Sequence, residues 1–175
     1  EQMGSNPGGV YEDSVGARWY VKMPQTDDHV RNELTANNLY LAAGLDVPIL
    51  KSIILDGKLA TASRMLPADY VPMIQLGDPS IVAQAEKRIK EGFAVDAWLA
   101  NHDVVGLTRD NIMVNSTTGK INRLDQGGAL IFRAQGEPKT SFGSIVEEFI
   151  SMRDPKVAKE AAPISRQELQ PLSQL

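Results

Sequence analysis

The chain has 175 residues, 42% of them hydrophobic and 23% charged, an ordinary globular mixture able to bury a core as one domain or two small lobes. A formal net charge of −4 without a long basic block argues against a general nucleic-acid binder, whose phosphate partner demands a basic face. With no cysteine and two histidines, disulfides and thiolate metal sites are excluded and a structural zinc site is disfavoured; no apolar run reaches the roughly 20 residues that cross a bilayer.

No signal peptide is visible, which together with the lack of cysteine fits a cytoplasmic setting without membrane insertion. Glu1 in place of Met suggests a trimmed or partial chain. The opening GSNPGG (4–9) reads as a loop. VYED, SVGA and RWYVK then predict a strand, a turn holding Gly16, and a second strand ending on Lys22. Thr26, Asp27 or Asp28 can cap a helix running from His29 to Ala43, with Gly44 as its stop. The stretch 47–66 predicts a hairpin around Asp56-Gly57, the favoured type I′ pair, and Pro67 and Pro72 act as breakers after it. One long helix is predicted over 80–100, then a polar loop, then a third hairpin over 111–125 with its turn in NSTTGK. The stretch 126–139 reads as irregular, and a last helix at about 144–152 precedes a polar tail. Trp19 and Trp98 are expected in the core. The overall pattern is α+β, strand-rich to residue 66 and mainly helical from 67 to 175.

Chemistry-bearing residues fall in a fixed order along these elements. Gly4, Gly8 and Gly9 open the chain, Lys22 ends a strand, and Glu33 lies in the first helix. Asp103 and Asn111 flank the polar loop, and Asp125 ends the third hairpin before Gly127 and Gly128. Paired strands at 112–114 and 121–124 would bring Asn111 and Asp125 to the same end.

This order resembles the protein-kinase-like fold over roughly residues 4 to 135. The resemblance implies a small bilobal scaffold with an N-lobe over 1–66 and a C-lobe over 67–175. It implies an ATP- and magnesium-dependent phosphotransferase acting on a hydroxyl, with a protein as the expected acceptor. Gly4, Gly8 and Gly9 would cover the phosphates and Val10 would pack on the adenine. Lys22 would contact phosphates and pair with Glu33, and Ser63, Arg64, Met65 and Leu66 would form the hinge that meets the base. Asp103 would orient the acceptor, with Asp110 its rival, while Asn111 and Asp125 would hold the metal. His102 would orient the loop backbone, and Arg123 and Arg133 would contact phosphate or be solvated. Seven residues separate Asp103 from Asn111 where the family has four, Gln126 replaces the phenylalanine of D-F-G, and no A-P-E is present after it. Ordinary protein kinases therefore match poorly, and the HipA-type, actin-fragmin-kinase and phosphoinositide-kinase-like groups match better. Two other readings remain open: transfer of AMP or another group on the same scaffold, and a non-catalytic nucleotide-binding or structural module of a virion, assembly or toxin system.

Overall fold

The computed structural model describes residues 7–104, 110–134, 136–140, 142–154 and 156. Gly4, the middle of the predicted catalytic loop and the polar tail lie outside the described residues. The protein is α+β, built on two antiparallel sheets.

The first sheet has the strand order β1-β2-β4-β3. β1 (Gly8–Glu12) and β2 (Arg18–Lys22) form the first hairpin. Its turn is closed by the Asp13 carboxylate, which accepts from the Val15 and Ala17 N–H groups, and by Gly16 at φ 79°. β3 (Leu50–Leu55) and β4 (Lys58–Arg64) form the second hairpin. Asp56 and Gly57 both have positive φ, 51° and 75°, the left-handed pair that a type I′ turn needs.

Between the hairpins runs α1 (Asp27–Ala42), capped by Thr26, whose Oγ1 accepts from His29 N at 3.2 Å. Gly44, at φ 81°, takes the left-handed conformation that ends it. The helix packs on β3 and β4. Ala36 and Tyr40 also join Val47, Leu99 and Ala129 in a core shared with the C-terminal half, while Val21, Ala60 and Ala62 form the sheet's own core.

The second sheet, β5-β6-β7, comprises β5 (Tyr70–Pro72), β6 (Ile112–Asn115) and β7 (Ile121–Arg123). β5 is a correction to the sequence reading, which took Pro67 and Pro72 as breakers. It lies at the sheet edge, where a proline without an N–H is tolerated.

The long predicted helix is two helices, α2 (Pro79–Glu91) and α3 (Phe93–Trp98), parted at Gly92. α2 is capped by Asp78, starts on Pro79, and buries Ile81, Ala85 and Ile89 at four-residue spacing. That residue 92 is a glycine has a distant cause. Arg123, on β7, lays its guanidinium against Gly92, where any Cβ would collide with it. From there it reaches Asp96 through two bonds of 3.0 and 3.1 Å, and Ile89 O at 3.2 Å. Arg123 and Asp96 are each only 1% exposed, so Arg123 is neither solvated nor a phosphate contact. Gly92→Ala is expected to break this buried pair and lower the unfolding free energy by about 3–5 kcal/mol, read as a fall in urea midpoint.

The helix predicted at about 144–152 is present as α4 (Glu148–Ser151), shorter than predicted. Trp98 is half-exposed, not core, and Trp19 is partly covered with Lys51 Nζ 4.8 Å over its ring. No helix among the described residues is long and apolar enough to cross a membrane.

Candidate functional site

Lys22 ends β2 in the interior of the first sheet, flanked by Gly8 on β1 and Thr61 on β4. Its neighbours bury the side chain, so the ammonium must find partners. It finds two: Glu33 Oε1 at 2.7 Å and Asp125 Oδ1 at 2.9 Å. Burial works against the charge of Lys22, but the two carboxylates outweigh it and hold its pKa above the ordinary value.

α1 supplies Glu33 from a stripe of buried polar residues. His29, Asn32, Glu33 and Asn37 share the inward face at helical spacing. Glu33 Oε2 takes a bond from Thr61 Oγ1 at 3.4 Å. His29 Nε2 lies 2.9 Å from Gly127 O, and its ring stacks on Phe132 with centroids 5.0 Å apart. Asn32 Nδ2 donates to Ala129 O at 2.9 Å, and its Oδ1 accepts from Ile131 N at 3.4 Å. One helix face therefore holds both the Lys22 ammonium and the segment just after Asp125.

Asp125 comes from the third hairpin. Ile112 pairs with Arg123, and Leu124 N donates to Asn111 O at 2.8 Å, so the ladder continues one step past the strands. Asn111 and Asp125 accordingly leave the hairpin at one end. Asp125 has φ 52°, a left-handed conformation that Asp tolerates better than most residues, and its Oδ1 accepts from Gly127 N at 3.3 Å. Its side chain stays 49% exposed. Burial raises its pKa, but Lys22, the Gly127 N–H and His29 together hold it below the usual carboxylate value. Asn111 Nδ2 donates to Asp103 O at 2.7 Å, which leaves its amide oxygen for another partner.

Asp103 is partly buried, and burial, Asp125 and Asp110 push its carboxyl pKa up while Asn111 opposes them. A cation between these carboxylates would relieve that repulsion. Among the described residues no group of three or more His, Asp or Glu side chains is placed to hold a metal by itself. The pair Asn111 and Asp125 instead suits a hard cation that keeps phosphate and water ligands, as magnesium does.

Behind the hairpin sits a buried network. Gln126 donates to Arg123 O at 2.9 Å and accepts from Asn101 Nδ2 at 3.1 Å; Tyr40 donates to Asp96 Oδ1 at 2.9 Å. Gln126, read from sequence as a mere substitution for phenylalanine, is a fully buried strut.

The remaining site expectations fare unevenly. Gly8 and Gly9 are in β1, paired with Lys22 and Val21, not in a turn. A Cβ on Gly8 would collide with Val21 O, so its bareness serves strand pairing. Val10 sits opposite Tyr20. Ser63 and Arg64 end β4; Arg64 N bonds Ile49 O and Met65 N bonds Arg18 O, each at 2.9 Å. Two of the four expected hinge residues thus spend their amides inside the fold, and among the described residues nothing accepts from the Leu66 N–H. His102 lies 3.8 Å from Glu148 on α4. Sequence reasoning missed His29, Asn32, Asp96, Asn101 and Lys139, none of which carries a local signal of its partner.

Comparison with protein-family models and with curated proteins finds no match to this chain.

Proposed function

We propose that the chain is an ATP- and magnesium-dependent phosphotransferase on a small bilobal protein-kinase-like scaffold, with lobes over 1–66 and 67–175, acting on a hydroxyl of a protein. One observation carries this reading: a buried strand-end ammonium shared at 2.7 and 2.9 Å between a helix glutamate and the aspartate that ends the 111–125 hairpin. One carboxylate is enough to balance the charge of a buried ammonium. Here the second comes 103 positions away and stays half-exposed, free to take a ligand. The strand order of the first sheet and the single helix between its hairpins agree with the reading.

In this scheme Lys22, oriented by Glu33, donates to the oxygens of the nucleotide phosphates, where a fixed cation stabilises charge without reorganising. The donor set fits magnesium, which when bound neutralises charge on the transferring phosphates. Asn111 through its amide oxygen and Asp125 through its carboxylate would hold it. Asp103, whose raised pKa makes it the more basic of these carboxylates, accepts the proton of the acceptor hydroxyl.

The test is incubation with ATP labelled at either the α- or the γ-phosphate, with a mixture of candidate protein acceptors. γ-Label on the acceptor is the expected result; α-label would replace phosphoryl by AMP transfer. The absence of transfer and of any magnesium-dependent rise in melting temperature with ATP would leave a non-catalytic module.

A further inference from the structure

Lys139 lies in the strap after Phe132, which folds back through a bridge between Phe132 and Pro138 and through its own N–H to Ile131 O at 2.8 Å. Its ammonium donates to three backbone carbonyls: Ala100 at 2.6 Å, Leu130 at 2.8 Å and Gly128 at 3.0 Å. An ammonium has three N–H donors, so its capacity is filled. Those carbonyls belong to two segments, one leading into Asp103 and one leaving Asp125. The segments also meet directly, where Leu130 N donates to Leu99 O at 2.6 Å and Asn101 Nδ2 to Gln126 Oε1 at 3.1 Å.

Both Ala100 and Leu130 have positive φ, 52° and 54°, a conformation that persists only where the surroundings impose it. The Lys139 ammonium takes the carbonyl of each. The charge is kept there against its own desolvation: burial pushes the pKa down to about 8, with Glu148 countering and Arg133 adding.

We infer that Lys139 is a positioning residue, its ammonium fixing the segment that carries Asp103 against the segment that carries Asp125. What is positioned rests on the phosphotransfer reading; the clamp itself does not. Lys139 touches neither nucleotide nor acceptor in this scheme. It sets the distance between the group that takes the acceptor proton and the group that holds the metal.

The experiment uses Lys139→Ala and Lys139→Arg with two readouts. In the nucleotide-free chain, amide hydrogen exchange at Leu130 is expected to quicken by about tenfold or more in K139A. Added propylammonium slows it again, and propanol at equal concentration does not. In γ-phosphate transfer, K139A is expected to lose about a hundredfold in kcat, with KM for the magnesium nucleotide within about threefold. K139R keeps the charge but offers a planar fork, and falls between the two on both readouts. Should K139A fail to fold, K139R against the wild type decides. Unchanged Leu130 exchange in the folded variants overturns the clamp, as does rescue by propanol equal to that by propylammonium. A raised KM with intact kcat also overturns it, by making Lys139 a binding group. Failure of the wild type to transfer phosphate overturns the phosphotransfer reading alone, and the exchange readout still decides the clamp.

Discussion

Lys22→Met is expected to lower phosphate transfer by about a hundred- to a thousandfold, the scale for removing one preorganised charge donor from a phosphate site. The same change should also weaken the fold. Glu33 is 3% exposed, and without Lys22 its carboxylate keeps, among the described residues, only the Thr61 hydroxyl. Leaving one half of a buried pair costs about 3–5 kcal/mol. The double variant Lys22→Met/Glu33→Gln separates these effects, since a neutral amide in place of the carboxylate removes the orphaned charge. Urea unfolding should show most of the stability restored, while transfer stays as low as in the single variant. Recovery of transfer in the double variant would mean that Lys22 serves the fold and not the chemistry.

Asp125→Asn has the opposite profile. The side chain is half-exposed, and asparagine tolerates the left-handed backbone at this position while still accepting from Gly127 and Lys22. Stability should therefore change by no more than about 1 kcal/mol. Transfer should fall by about a thousandfold, because a neutral amide is a poor substitute for a carboxylate on magnesium. The two variants thus separate a residue buried in the fold from one held at its surface for a ligand. Wild-type turnover in Asp125→Asn would remove this residue from the mechanism.

The parts of the fold that local chemistry dictates were legible in the sequence. Asp56-Gly57 names its own turn because both residues must adopt positive φ, and the helix cap was legible to within Thr26, Asp27 or Asp28, of which Thr26 makes it. The hairpin over 111–125 was legible too, and with it the meeting of Asn111 and Asp125 at one end.

The features that stayed hidden depend on partners far along the chain. The predicted 80–100 helix is parted at Gly92, a position that must stay glycine because Arg123 occupies the space of a side chain there. α1 turns His29, Asn32, Glu33 and Asn37 inward, so a search for apolar periodicity is blind to the face that matters most. β5 contains a proline, which reads as a breaker until the neighbouring strands show that it lies at an edge. The turn expected at Gly8 and Gly9 is a strand. Glycine-rich sequence before a strand suggests a turn, yet Gly8 and Gly9 lie in β1, where the bareness of Gly8 permits the close approach to Val21. Lys139 had no local signal at all, because its three acceptors are backbone carbonyls.

The measurement that bears most directly on the shared Lys22 ammonium is calorimetric titration of the wild-type chain with ATP, with and without magnesium, repeated on Asp125→Asn. Binding that requires the metal in the wild type and disappears in the variant is the predicted result. Equal binding in the presence and absence of magnesium would contradict it by removing the metal, and no binding in either would leave the Lys22–Glu33–Asp125 cluster as a structural element.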